Sequence, residues 1–189
     1  MEQQYVDLNK GLRLMISSWR KFPDVSIPTK AKAGGSYINS FLATGDALRC
    51  GYDEALLTDQ EGYIAETSVA NILLSHHQRV ILPFVGAALL EGITMRTAVE
   101  FLQEEGIPVH FEQIDRSLIY SCQELLMMGT AVQIAFVDSV DGRSIGNSIP
   151  SGKSEPGPLC QMLRKKFASV IAMEHPRAKE WITEFKLSI

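Results

Sequence analysis

Three short segments hold residues whose types and spacing can do chemistry. In Ala31-Lys32-Ala33-Gly34-Gly35-Ser36-Tyr37 a lysine stands among small residues just ahead of a helical pattern. A lysine amine attacks a carbonyl carbon when desolvation or a nearby cation lowers its hold on the proton. Read alone, Lys32 is a solvated surface charge, as most lysines are, beside a turn shaped by two glycines. In Gly62-Tyr63-Ile64-Ala65-Glu66 the carboxylate closes an apolar run. Either it turns to water at the end of the core, or it is held inward to pair with a cationic heterocycle; buried unpaired, it would be costly. Leu90-Glu91-Gly92-Ile93-Thr94 opens a helix. Free N–H groups, a glycine that permits close approach and a hydroxyl make a cup for a phosphate, although threonine is also an ordinary N-cap. Gly129-Thr130-Ala131 offers a second donor group at the end of an apolar strand.

The elements that must position these residues alternate in type. Leu12, Leu14 and Ile16 predict a strand over 11–17. Residues 19–31, with Pro23 and Pro28, read as an ordered loop. The spacing predicts a helix over 36–50, with Tyr37, Ile38, Phe41, Leu42 and Leu48 on one broad face and Gly51 as its stop. Strands are expected over 54–58, 63–66, 71–75 and 80–82, with His76-His77-Gln78-Arg79 as a hairpin loop. A helix over 94–105 turns Ala98, Phe101 and Leu102 inward, and 107–111 is the next strand. Asp115 is the expected N-cap of a short helix over 115–121. Strands over 124–128 and 132–140 follow, then a turn at Asp141-Gly142, a Gly/Ser/Pro-rich loop over 146–158, and helices over 159–173 and 177–185. The whole is a mixed α/β (α+β) pattern of antiparallel hairpins with helices interspersed. No Gly-x-Gly-x-x-Gly follows the first strand, so a dinucleotide fold has no support.

Composition excludes several function classes. The 189 residues are 46% hydrophobic and 21% charged, as in a globular domain, and carry a net charge of −4. With no basic block, a nucleic-acid partner has no electrostatic basis. The longest apolar runs fall far short of the roughly 20 residues of a membrane span. Three cysteines at wide spacing make a poor disulfide framework and, with no signal-peptide pattern at the start, point to a reducing cytoplasm. His76 and His77 are adjacent and point opposite ways in an extended segment, so no metal site is expected.

Taken together, the segments resemble the fold-type IV pyridoxal-phosphate enzymes, most closely the branched-chain amino acid aminotransferases. The resemblance runs from about Gly11 to Phe167. It is carried by Ser18-Trp19-Arg20, the run from Pro28 to Tyr37, Gly51-Tyr52-Asp53-Glu54-Ala55-Leu56, Gly62 to Glu66, Ala70-Asn71-Ile72, Gly92-Ile93-Thr94, Gly129-Thr130-Ala131 and Val140 to Arg143. It implies the large C-terminal domain of the D-amino acid aminotransferase-like fold, with an antiparallel-rich, barrel-like sheet and surrounding helices. It implies that 11–189 is one domain binding pyridoxal 5′-phosphate and that 1–10 is the remnant of a linker, the family's N-terminal domain being absent.

Residue by residue, the resemblance makes Lys32 the catalytic lysine that binds the cofactor covalently. It sets Tyr37 beside the phenolic oxygen and Glu66 beside the pyridine nitrogen. Ile93, Thr94 and Thr130 become phosphate ligands, with Thr130 and Ala131 near the substrate carboxylate. The implied reaction moves an amino group from a branched-chain L-amino acid to 2-oxoglutarate, in a homodimer. Within the same fold type a D-amino acid aminotransferase or an aminodeoxychorismate lyase remains open. So does an inactive cofactor-binding module, because the missing domain supplies a phosphate arginine and much of the side-chain pocket in the family.

Overall fold

A computed structural model describes residues 7–86, 88–146 and 154–183. The chain starts with a strand, β1 (Leu12–Arg20), and a 3-10 turn at Gly34–Tyr37 that runs directly into α1 (Ile38–Arg49). Then come β2 (Glu54–Thr58), β3 (Ile64–Thr67), β4 (Asn71–His76) and β5 (Arg79–Pro83). Next are α2 (Ile93–Glu104), β6 (Val109–Glu112), α3 (Arg116–Ser121), β7 (Glu124–Gly129), β8 (Gln133–Val140) and β9 (Arg143–Ser144). The described chain ends with α4 (Pro158–Ile171) and α5 (Ala178–Trp181).

The strands form one sheet in the order β3-β2-β1-β8-β7-β4-β5-β6, with β9 paired to β8. Five of the eight pairings are antiparallel and three are parallel, so the sheet is mixed and antiparallel-rich. Two of the parallel pairs, β1 with β2 and β5 with β6, are joined by α1 and α2 respectively, since a parallel neighbour needs a crossover. Sheet twist brings the two edges together: the Ile64 N–H donates to the Ile114 carbonyl at 2.8 Å, bridging β3 to the residues just past β6. The result is a barrel-like curl.

Alternation along the strands divides the core in two. Ile72, Leu74, Leu125 and Met127 turn into the barrel beside Leu14, Leu56 and Ile64. Their neighbours Leu73, Leu126 and Met128 face the other way, against Phe101 and Leu102 of α2 and Leu163 of α4. The Glu124 carboxylate anchors α4 by accepting the Leu159 and Cys160 N–H groups at 3.0 and 3.1 Å, as an N-cap does. Asp115 caps α3 through the Leu118 N–H at 2.8 Å, as its sequence position predicts. The Asp141-Gly142 turn has φ of 51° and 74°, the left-handed pair that a tight β8–β9 hairpin requires.

α1 is helical as its period requires, but its broad apolar face points outward. The face against the sheet is small: Asn39, Ser40, Ala43 and Ala47 are buried, the last two against Ala55 and Leu57. Ile38, Phe41 and Leu48 are left 61%, 77% and 58% exposed.

Burial pushes the Cys122 thiol up to about 12 and the Cys160 thiol up to about 11, while Cys50 is exposed and all three are free. Thiolate is the reactive form. A disulfide reagent at neutral pH should therefore titrate one thiol, Cys50, in the folded chain and three after denaturation. Rapid reaction of two or more without denaturant would contradict the packing.

Candidate active site

The ends of β1, β3 and β7 and the start of β4 meet at one rim of the curled sheet, where a cavity of about 280 Å³ opens. Such a volume is near the lower end for a small-molecule site, roughly 300–1,000 Å³. Lys32, Tyr37, Glu66, Ile93, Thr94 and Thr130, six of the seven residues predicted from sequence, all line it. Ala131 follows Thr130 in the same exposed turn and is not among the lining residues.

Glu66 reaches the cavity because strand alternation puts it on the same face of β3 as the core residue Ile64. It is only 7% exposed. Its Oε1 lies 2.7 Å from Lys21 Nζ, and its Oε2 accepts from Asn71 Nδ2 at 3.2 Å and from the Leu90 N–H at 3.3 Å. Burial pushes its carboxyl above the ordinary value, against the opposing pull of Lys21, the Leu90 N–H and Lys30.

Asn71 joins the two ends of the site. Its Nδ2 also donates to the Leu90 carbonyl at 2.7 Å, and its Oδ1 accepts the Gly92 N–H at 3.1 Å. The chain entering α2 is thereby tied to the carboxylate. A Cβ at Gly92 would lie 2.4 Å from Asn71 Oδ1, so only glycine fits there without displacing the asparagine. α2 begins at Ile93, and its first-turn N–H groups and the buried Thr94 sit at the cavity wall.

The lysines of the cavity differ in what holds them. Lys30 Nζ donates to the Val85 carbonyl at 2.5 Å and the Leu89 carbonyl at 3.4 Å, and lies 3.4 Å from Glu91 Oε1. Lys21 is paired with Glu66. Lys32 has no hydrogen-bond or ion-pair partner among the described residues. Across the cavity, burial and then the Glu66 charge push the Tyr37 phenol above its ordinary value. Below the rim a second buried carboxylate, Glu54, accepts from Ser68 Oγ at 2.7 Å and Thr44 Oγ1 at 3.0 Å, fixing the β3–β4 turn to α1.

Sequence reasoning did not assign Lys21 or Asn71 a part. Asn71 stood inside one of the matching runs. Lys21 stood in the expected loop over 19–31, just before Pro23, with no signal of its own.

The raised Glu66 carboxyl has a sign that can be checked. A carboxyl raised on folding favours the folded state most at acid pH, and that contribution is lost as pH rises through the raised value. Glu66→Gln removes this dependence. The stability of the variant relative to the wild type should therefore climb as pH rises from below the ordinary carboxylate range to well above it. Denaturant unfolding at several pH values measures the difference; a flat or falling difference contradicts the burial.

The sequence model of the family described as amino-transferase class IV matches residues 1–140. The chain belongs to that family. A probable branched-chain-amino-acid aminotransferase of Aquifex aeolicus (strain VF5) is 37% identical over 181 residues, covering 95% of this chain and 56% of the relative. The branched-chain-amino-acid aminotransferase of Salmonella typhimurium is 33% identical over 175 residues, covering 93% and 55%.

Among solved structures, the T.th. branched-chain amino acid aminotransferase with pyridoxamine 5′-phosphate superposes with a TM-score of 0.85 at 35% identity, over 94% of this chain and 56% of that one. The enzyme of Thermoproteus uzoniensis with norvaline gives 0.87 at 29% identity, over 95% and 57%. The fold is therefore the fold-type IV one. The chain spans about half the length of the curated relatives it matches.

Proposed function

We propose that this chain holds pyridoxal 5′-phosphate and serves a transaminase that moves the amino group of branched-chain L-amino acids to 2-oxoglutarate. The observation that carries the reading is the convergence of three groups on one cavity: the Lys32 amine, without a partner among the described residues, the buried Glu66 carboxylate and the start of α2. The substrate class rests on the names of the relatives. In the same reading 11–189 is one cofactor-binding domain, 1–10 belongs to a linker, and the three free thiols suit a reducing cytoplasm.

The donor set fits the cofactor. A buried carboxylate with three donors on it can still accept a fourth hydrogen bond and favours a protonated ring nitrogen. Helix N–H groups with Thr94 suit a phosphate, and Thr130 stands within the same cavity. Bound there, the cofactor would supply an aldehyde carbon for the amino group and a ring that takes up electrons.

The chain's own residues do the rest. Lys32 supplies the nucleophilic amine and then holds or moves the proton of the substrate Cα. Tyr37 donates toward the ring's phenolic oxygen. Glu66 fixes the ring nitrogen's proton. Ile93, Thr94 and Thr130 hold the phosphate, and Thr130 with Ala131 orients the substrate carboxylate.

Adding pyridoxal 5′-phosphate to the purified chain should produce visible absorbance, which L-leucine, L-valine and L-isoleucine then bleach and D-alanine does not. No visible band at saturating cofactor would overturn the reading. Bleaching by D-alanine alone would move the substrate to the D-amino acid class.

The exposed face of α1 supports the homodimer. Ile38, Phe41 and Leu48 lie exposed on the outward side of α1, and Trp19, also exposed, is tied to the same helix by its Nε1 bond to Asp46 at 2.9 Å. Phe41→Asp should turn a dimer into a monomer in sedimentation while shifting stability by no more than about 0.5 kcal/mol, since the side chain is exposed. A wild-type monomer at high concentration contradicts the assembly.

A further inference from the structure

A carboxylate as buried as Glu66 must have its charge compensated or give it up. Its three contacts are not equivalent. Asn71 Nδ2 and the Leu90 N–H are neutral donors, and both fall on Oε2. Lys21 is the cation in direct contact, alone on Oε1 at 2.7 Å. Lys21 is itself largely enclosed, with 13% of its side chain exposed, so the pair is not a solvated surface contact. The other charged or titratable groups around Glu66 come from the segment before α1. Lys30 is held by the 85–91 loop and Glu91, Tyr37 is neutral at ordinary pH, and Lys32 lines the same cavity. An ionised carboxylate has about four acceptor positions. Three are filled here, and the open one is on the oxygen that Lys21 holds.

We propose that Lys21 is a positioning residue: it keeps Glu66 ionised and its Oε1 turned into the cavity, so that the site selects a ring whose nitrogen carries a proton. This deepens the function proposed above and rests on it for the identity of the ring, but the pairing itself is a property of the chain alone. Lys21 supplies charge, Asn71 supplies direction and a link to the start of α2, and the carboxylate between them is ready before any ligand arrives.

The test is a titration of the unloaded chain with carboxyl-labelled glutamate, read by NMR, with Glu66 assigned through Glu66→Gln. In Lys21→Met the Glu66 midpoint should rise by roughly 1–3 pH units above wild type, the usual effect of one opposite charge at contact. Lys21→Arg should restore it to near the wild-type value. A midpoint that does not move in Lys21→Met overturns the proposal.

Should that variant fail to fold, the wild type decides. The Lys21 amine signal should show an inflection at the Glu66 midpoint that is missing in Glu66→Gln, and a featureless Lys21 signal overturns the proposal equally. The cofactor is tested separately. Pyridoxal 5′-phosphate binding, followed by visible absorbance, should lose its acid limb at higher pH in Lys21→Met than in wild type. If the NMR shift appears but wild type takes up no cofactor, the pairing stands and the functional reading falls.

Discussion

Borohydride reduction of the cofactor-loaded chain should leave a pyridoxyl group on Lys32 and on no other lysine, and Lys32→Ala should abolish the label. Three lysines line the cavity, so the cavity alone does not choose among them. Their partners do. Lys21 is in contact with Glu66, and Lys30 is held by two carbonyls and the Glu91 carboxylate. An amine so engaged must break those contacts before it can approach an aldehyde. Lys32 breaks none, and it projects from a turn whose neighbours, Ala31 and Ala33, add no bulk. Lys30→Ala should keep the label, since its contacts only tether the 85–91 loop. Where amino transfer is measurable, losing the Lys32 general acid and base should slow it by roughly 10²–10⁴-fold. Peptide mapping that places the label on Lys30 or Lys21 refutes the assignment.

Much of this site was legible in sequence because its parts are local. A lysine before a helix, a glutamate at a strand end and a glycine before a helix start are each ambiguous alone; the family resemblance, carried by several such runs in one order, assigned the seven residues, and six of them line one cavity. What joins the parts is not local. Lys21 meets Glu66, and Asn71 meets Gly92, only after β1, β3 and β4 have taken their places in the curled sheet. No spacing rule connects such pairs.

The same limit explains α1. Its period identifies a helix, but period does not say which side is buried when the opposite side consists of small residues that allow close approach to β1 and β2. β1 runs to Arg20, past the expected loop start at Trp19, because pairing with β2 continues to Thr58. The last helix covers only Ala178–Trp181 of the expected 177–185, and the end of that range lies outside the described residues.

The 189-residue chain by itself should bind the cofactor yet transaminate leucine or valine far more slowly than about one per second, the low end of ordinary enzymes. Binding needs little more than the groups already in place: a free amine, a compensated carboxylate and a helix start. Turnover also needs the substrate Cα–H held against the ring, and such positioning is worth about 7–11 kcal/mol of barrier. The described cavity offers little to do this. Lys32 and Thr130 are exposed, and Ile93 at the α2 start is 73% exposed. No arginine lines the cavity among the described residues, so no bidentate guanidinium contact to a phosphate comes from this lining. Water reaching the rim weakens every electrostatic contact inside it. The measurement is glutamate formed from 2-oxoglutarate by the chain saturated with pyridoxal 5′-phosphate, at protein concentrations that span its self-association. A rate that climbs as copies associate through α1 would show that the interface covers the cavity. A rate at or above about one per second in the monomer would show that the open cavity positions the substrate unaided.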